Sequence, residues 1–165
     1  MRPVPEYDPR SWLLKALRET AHAMESLIWE VDDDALDRRP AEDEWSCREL
    51  AGHMCEMERR YIERLERIVH DLDPQIDAFD ADSIELDRAG GWQTVFDYMD
   101  DFAVQRRQSV YLLWSLDHSD WDRRGIHPYL GPLTITQVAR EMNEHDLAHL
   151  WQLRRLCDRF QTATV

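Results

Sequence analysis

Apolar residues return every three or four positions along four stretches of the chain, the spacing of amphipathic helices that each bury one stripe. The first stretch runs from about Arg10 to Trp29, with Leu13, Ala16, Leu17, Thr20, Ala23, Met24, Leu27 and Ile28 facing inward. The second runs from Ser46 to about His70 and carries Leu50, His53, Met54, Met57, Tyr61, Leu65 and Ile68. Trp92 to about Leu116 makes the third, on Val95, Phe96, Met99, Phe102, Ala103, Arg106, Val110 and Leu113. The fourth opens at Thr134 and ends near Phe160, with Ile135, Val138, Met142, His145, His149, Leu153, Leu156 and Phe160 in register. The pattern predicts an all-α chain.

Two of the starts are signed by capping boxes. Ser46-Cys47-Arg48-Glu49 reads S-x-x-E and Thr134-Ile135-Thr136-Gln137 reads T-x-x-Q, in which side chains at both ends satisfy orphan backbone amides. Prolines up to Pro9 form a lead-in, and the tail from Gln161 to Val165 is expected to fray. Val31 to Trp45 reads as a connection with one short helical turn, and Asp32-Asp33-Asp34 as a solvated helix exit. Asp71 to Gly91, about twenty residues, is either a crossover between parallel neighbours or a cover over one end. Asp117 to Leu133, with Trp121, Gly125, Pro128, Gly131 and Pro132, is expected to be a turn-rich loop. Arg59, Arg60, Glu63, Arg64, Glu66 and Arg67 are expected on the outer, solvated side of the second helix. No repeat or second domain shows, so residues 1–165 are expected to form one domain.

Polar residues interrupt the apolar stripes at few places. Histidines four apart are offset by about 40° around a helix and roughly 6 Å along it, so His145 and His149 project from one face toward one point. Both stand at core positions, where an unpartnered polar group costs about 1 to 3 kcal/mol. A shared cation satisfies both rings, and His53, inward on the second helix, supplies a third nitrogen. Arg106 is the other intruder, read equally as the partner of an inward carboxylate and as a binder of an anionic substrate beside the metal. Asp146 and Glu141 are candidates for orienting a metal-bound imidazole, weighed evenly against exposed carboxylates. His22 lies off its stripe and is read as a rim side chain. His127 and Tyr129 either border the site or, the favoured alternative, staple their loop.

Charge and cysteine usage narrow the partners. With 34 acidic against 20 basic residues the formal charge is −14, which disfavours nucleic acid. No apolar run approaches the roughly 20 residues of a membrane span, and the first residues lack a signal-peptide core. Cys47, Cys55 and Cys157 show no C-x-x-C spacing and suit a reducing compartment, so the expected location is the cytoplasm. Cys47 and Cys55 fall off the face of His53 and are read as bystander thiols.

The Trp45-Ser46 entry to the second helix, His53 one to two turns later, the Arg-bearing third helix, the loop His127-Pro128-Tyr129-Leu130-Gly131-Pro132-Leu133-Thr134 and the closing His145-Asp146-x-x-His149 together resemble the DinB-like (YfiT-like) family. That resemblance extends over nearly the whole chain. It implies a four-helix bundle with a long crossover between the second and third helices, and a divalent metal on residues matching His53, His145 and His149. Some members of the family are transferases or isomerases that use a low-molecular-weight thiol, bacillithiol or mycothiol, and others are metal-dependent hydrolases.

Three neutral imidazoles suit zinc or nickel and leave a coordination position open for water or a thiol. H-D-x-x-H lacks the glutamate that zinc proteases use as base, which argues against peptide hydrolysis. The expectation is a metal-dependent enzyme of the thiol S-transferase or hydrolase type acting on a small molecule. The alternative is a non-catalytic bundle in which the metal or the histidine cluster is structural, a stress-related homodimer. Trp12, Trp29 and Trp151 are the aromatics expected to mark a self-association face.

Overall fold

Each long helix starts where a side chain takes up its first orphan amides. The computed structural model describes residues 8–79 and 93–162. Helix α1 (Pro9–Ile28) has proline in its first turn, where no amide is lost, and Asp8 accepts from the Arg10 amide at 3.1 Å. A single turn, α2 (Asp33–Leu36), follows. The aspartate run therefore opens a helix rather than closing one, with Asp33 and Asp34 in the first turn where the helix dipole favours negative charge.

Both expected capping boxes form. At the start of α3 (Cys47–His70), Ser46 accepts from the Glu49 amide at 3.1 Å and Glu49 accepts from the Ser46 amide at 2.9 Å. At the start of α5 (Ile135–Thr162), Thr134 accepts from the Gln137 amide at 3.2 Å and Gln137 from the Thr134 amide at 2.8 Å. A third box, Thr94 with Asp97, starts α4 (Val95–Ser115) two to three residues later than the apolar pattern implied. Trp92, like the lead-in before Asp8, residues 80–92 of the long connection and the last three residues of the tail, lies outside the described residues.

The four long helices form a bundle in which α3 packs on α4, α4 on α1, α1 on α5 and α5 on α3. Side-chain pairs give the directions. Cys55 meets Gln105 and Glu66 meets Gln108, so α3 and α4 run parallel, whereas Glu141 pairs with Arg64 and His145 with His53, so α5 runs against α3. A chain leaving the end of α3 must return along the bundle to start a parallel neighbour. The long connection is therefore a crossover.

Asp117 to Leu133 departs from the expected loop. A 3-10 helix (His118–Asp122) leads into an antiparallel hairpin, β1 (Arg124–His127) with β2 (Gly131–Thr134). Hairpin pairing overrode the turn-rich composition because the strands are anchored from outside: Ile126 accepts from the Ile76 amide at 3.0 Å and donates to the Pro74 carbonyl at 2.7 Å, both in the chain that leaves α3. Gly125 permits that approach, since a Cβ there would lie 2.6 Å from the Ile76 side chain. Arg64 is a second departure, buried rather than on the solvated face. Its guanidinium lies 4.0 Å over the Phe79 ring and donates to the Asp77 carbonyl at 2.9 Å, because the connection folds back across it.

Apolar side chains fill the two halves of the bundle. Met24, Leu50, Met54, Phe102 and Leu153 lie in one half, and Leu17, Leu65, Leu113, Val138 and Met142 in the other. A polar layer separates them. Its centre is Arg106 on α4, which donates to Glu58 on α3 at 3.0 and 2.7 Å, to both oxygens of Asp146 on α5, and to the Leu17 carbonyl of α1 at 2.8 Å. Ser109 donates its hydroxyl to the same Glu58. One side chain thus touches all four long helices.

Breaking a buried ion pair from one side leaves an uncompensated charge, which costs about 3 to 5 kcal/mol. Arg106→Met is expected to lower stability by about that amount in urea titrations followed by circular dichroism. Replacing all three charged groups with apolar ones (Arg106→Met, Glu58→Leu, Asp146→Leu) is expected to recover most of the loss.

Candidate metal centre

His53 reaches inward from the second turn of α3, and His145 and His149 reach toward it from successive turns of α5. One ring nitrogen from each lies within 4.8 Å of the other two. Nε2 of His53 and Nε2 of His145 are 3.0 Å apart. Nδ1 of His149 meets Oε1 of Gln152 at 2.9 Å. An amide oxygen only accepts, so that nitrogen carries the hydrogen and Nε2 of His149 keeps its lone pair for the cluster.

Burial sets the protonation. Removal from water pushes His53 down to about 3, helped by the charge His149 would carry. Burial and the same neighbours, with Arg106, push His145 down to about 3 as well. Both rings are neutral at pH 7, the state in which imidazole ligates a metal. The cluster fits a divalent cation on these grounds: the nitrogens converge, the rings of His53 and His145 are neutral, and among the described residues their Nε2 atoms meet only each other. Nδ1 of His53, buried and without a hydrogen-bond partner, lacks the outer support that Gln152 gives His149.

Trp45, the residue before the Ser46 cap, covers the cluster on one side. Its ring centre is 4.7 Å from that of His53, and it stacks on His149 at 6.0 Å and 14°. Trp45 and His149 also line a cleft of about 620 Å³ that opens to solvent between α5 and the chain before α3, with Asp43, Glu44, Gln152, Arg155 and Arg159 around it. That volume suits a small-molecule site. On the other side Tyr61 stands edge-on to His145, ring centres 6.0 Å apart, and its hydroxyl donates to Glu141 at 3.2 Å.

The other residues singled out from the sequence fall as follows. Arg106 and Asp146 meet each other, and Asp146 is buried instead of exposed. Both oxygens of Asp146 accept from Arg106, and burial pushes its carboxyl up to about 6 although the guanidinium pulls it down. All five N–H groups of Arg106 are spent on Glu58, Asp146 and Leu17, which leaves none for a substrate anion and favours the inward-carboxylate alternative. Glu141 binds Tyr61 and Arg64. His22 is exposed on the rim. Nδ1 of His127 accepts from the amides of Tyr129 and Leu130, so His127 staples the hairpin turn, while Tyr129 points into solvent. Cys47 and Cys157 are buried, Cys55 is half-buried, and none of the three joins the cluster. Gln152 and Glu58 were not singled out. An amide three residues after a helical histidine is a legible signal for Gln152, whereas Glu58 is one of many carboxylates on α3.

A bundle of this connectivity belongs to a known class. The chain matches the model of the DinB superfamily over residues 16–153 and belongs to that superfamily. Among solved structures it is similar to YfiT from Bacillus subtilis, described as a probable metal-dependent hydrolase with an unusual four-helix bundle topology, at 16% identity and a TM-score of 0.80, over 96% of this chain and 93% of that one. It is also similar to YjoA, a DinB-like protein of Bacillus subtilis, at 16% identity and a TM-score of 0.63, over 90% and 91% of the two chains. At that identity the likeness is one of fold. A search of the curated proteins found no match. No helix among the described residues is long and apolar enough to cross a membrane.

Removing the hydrogen-bond partner of a metal-bound histidine costs about 10- to 100-fold in metal affinity. Gln152→Ala is expected to weaken zinc binding by that factor in competition with a chromophoric chelator, with unchanged helicity. The lowered histidines also give a pH dependence. Unfolded histidine takes a proton near 6.5, and His53 and His145 take theirs only near 3. The unfolded state thus binds more protons throughout that interval, and the metal-free protein is expected to lose stability as pH falls below 6.5, by up to about 1.4 kcal/mol per pH unit for each histidine. Denaturation between pH 7 and 5 measures the slope, which a His53→Gln/His145→Gln variant is expected to flatten.

Proposed function

We propose that His53, His145 and His149 hold a divalent first-row cation, zinc or nickel, and that the chain is a metal-dependent enzyme acting on a small molecule in the adjoining cleft. The observation that carries this reading is the position of His149: one of its ring nitrogens belongs to the cluster while the residue itself lines the cleft, so the solvent-open cleft lies one side chain away from a held ion. A closed structural site offers no such opening. When bound, the ion supplies Lewis acidity and lowers the pKa of a coordinated water or thiol.

The chain's own groups divide the remaining work. The tautomer of His149 is fixed by Gln152, and Trp45 packs against the rings of His53 and His149. Asp146, although next to His145 in sequence, is committed to Arg106 and serves as no base. Tyr61 and Glu141 form an ionisable pair beside His145, and in a hydrolytic reaction Glu141, half-exposed, is the group that accepts the proton. Burial and the neighbouring Glu141 raise Tyr61 well above the ordinary phenol range, so its hydroxyl stays a donor.

Hydrolysis is the reading favoured here, on the description of YfiT and on the carboxylate beside His145. Thiol transfer is the second, with the thiol brought from outside, because the protein's own three cysteines lie away from the cluster. Elemental analysis of the purified protein is expected to give one equivalent of metal, lost in His149→Ala. Wild type is then compared with His53→Ala on an activated ester, and on a halo-nitrobenzene with and without a low-molecular-weight thiol. A metal-dependent, thiol-independent rate identifies a hydrolase, and a thiol-dependent rate a transferase. Equal rates for the two proteins in every assay would overturn catalysis at this centre.

A further inference from the structure

A second concavity lies on the opposite flank of the bundle, between α1 and α4. It holds about 650 Å³ and is floored by Leu14, Ala21, Met99, Ala103 and Val110, with Tyr111 and Trp114 at one end. Both of these aromatics are 68% exposed, and their rings lean on each other with centres 6.0 Å apart. A pocket of this size and apolarity is typical of small-ligand sites.

Its charge distinguishes it from an ordinary apolar groove. Three arginines line it: Arg106, buried and committed to Glu58, Asp146 and the Leu17 carbonyl, and Arg18 and Arg107, both exposed. The Leu17 carbonyl meets the Arg106 guanidinium across the two antiparallel helices, so the next residues, Arg18 and Arg107, lie within about 3 Å of the same level on facing elements. Neither has a carboxylate where a helix places one within reach. Arg18 has Leu14, Lys15, Ala21 and His22 at three and four residues' distance, and Arg107 has Ala103, Val104, Val110 and Tyr111. Neither forms an ion pair with a described residue, whereas Arg39, Arg59, Arg60 and Arg159 all do. In a chain of formal charge −14, two facing cations without acidic partners create a local field of the opposite sign. Glu25, the acid in the lining, lies two turns further along α1, away from the aromatic end.

We propose that this groove binds a small amphipathic monoanion, one carboxylate on an apolar body. The carboxylate sits between Arg18 and Arg107. The apolar body runs toward Leu14, Tyr111 and Trp114, and Glu25 at the far end repels a second negative charge. None of the three clustered histidines lines the groove, which needs no metal; Arg106 and Asp146 stand between the two places.

Decanoate, below its micellar concentration, is the probe, titrated into the full chain and followed by calorimetry and by tryptophan fluorescence. One saturable equivalent is expected, with decanol and decyltrimethylammonium at least about tenfold weaker. The Arg18→Gln/Arg107→Gln variant is expected to bind decanoate no better than decanol, and Ala103→Phe, which fills the floor, to bind neither, with circular dichroism unchanged in both. His149→Ala is expected to bind as wild type does, which keeps this result independent of the metal reading. Equal affinity for decanoate and decanol would overturn the proposal, as would binding lost in His149→Ala. It would also fall to a protein that dimerises through this face, seen as a dimer in sedimentation that Ala103→Phe dissociates and decanoate does not.

Discussion

One guanidinium joins the four long helices. Arg106 sends donors to α3, α5 and α1 from its place on α4, and every one of its N–H groups finds an acceptor at the level where the two apolar halves of the core meet. Charges removed from water in this way gain little net stability, because desolvation offsets most of the attraction. What they fix is register. Leucines and methionines in the rest of the core tolerate a shift by a turn, whereas a planar fork with two carboxylates and a carbonyl is satisfied in one arrangement only.

The histidine centre inherits that register. Asp146 is covalently next to His145, and Glu58 lies five residues after His53 on α3. Clamping both carboxylates to the same cation sets the height of α5 against α3, and that height decides whether two imidazoles from one helix meet a third from another. The residue that holds the rings at the right level therefore need not touch them. Gln152 then orients one ring, and Trp45 covers the assembly from the chain that enters α3.

Much of this was legible in the sequence because periodicity is a local property. The four helices follow from apolar spacing, the two expected capping boxes from four-residue patterns, and the three histidines from their places on apolar stripes. What escaped depends on distant partners. The hairpin at 124–134 forms because the chain near Ile76 supplies an edge for it, and Arg64 is buried because Phe79 and the Asp77 carbonyl fold over it. Asp146 read as equally suited to solvent or to a neighbouring ring, since nothing within its own helix reveals Arg106 forty residues away. The start of α4 was misplaced because an apolar Trp92 precedes a cap whose box uses aspartate in place of the more familiar glutamate.

The parallel course of α3 and α4 reaches beyond the site. Helices adjacent in the chain, α1 with α3 and α4 with α5, stand diagonally, and every lateral contact joins segments far apart: 50 residues separate Cys55 from Gln105, 89 separate Leu17 from Arg106, and 92 separate His53 from His145. Most helical bundles assemble by zipping up hairpins around short turns, and their speed reflects that locality. No such hairpin of long helices exists here. Large loops must close before any pair of long helices can bury its stripe, so the chain is expected to fold more slowly than a bundle built from helical hairpins. A cut between α3 and α4 would leave two pieces that each contain only diagonal partners, and neither would have a core of its own.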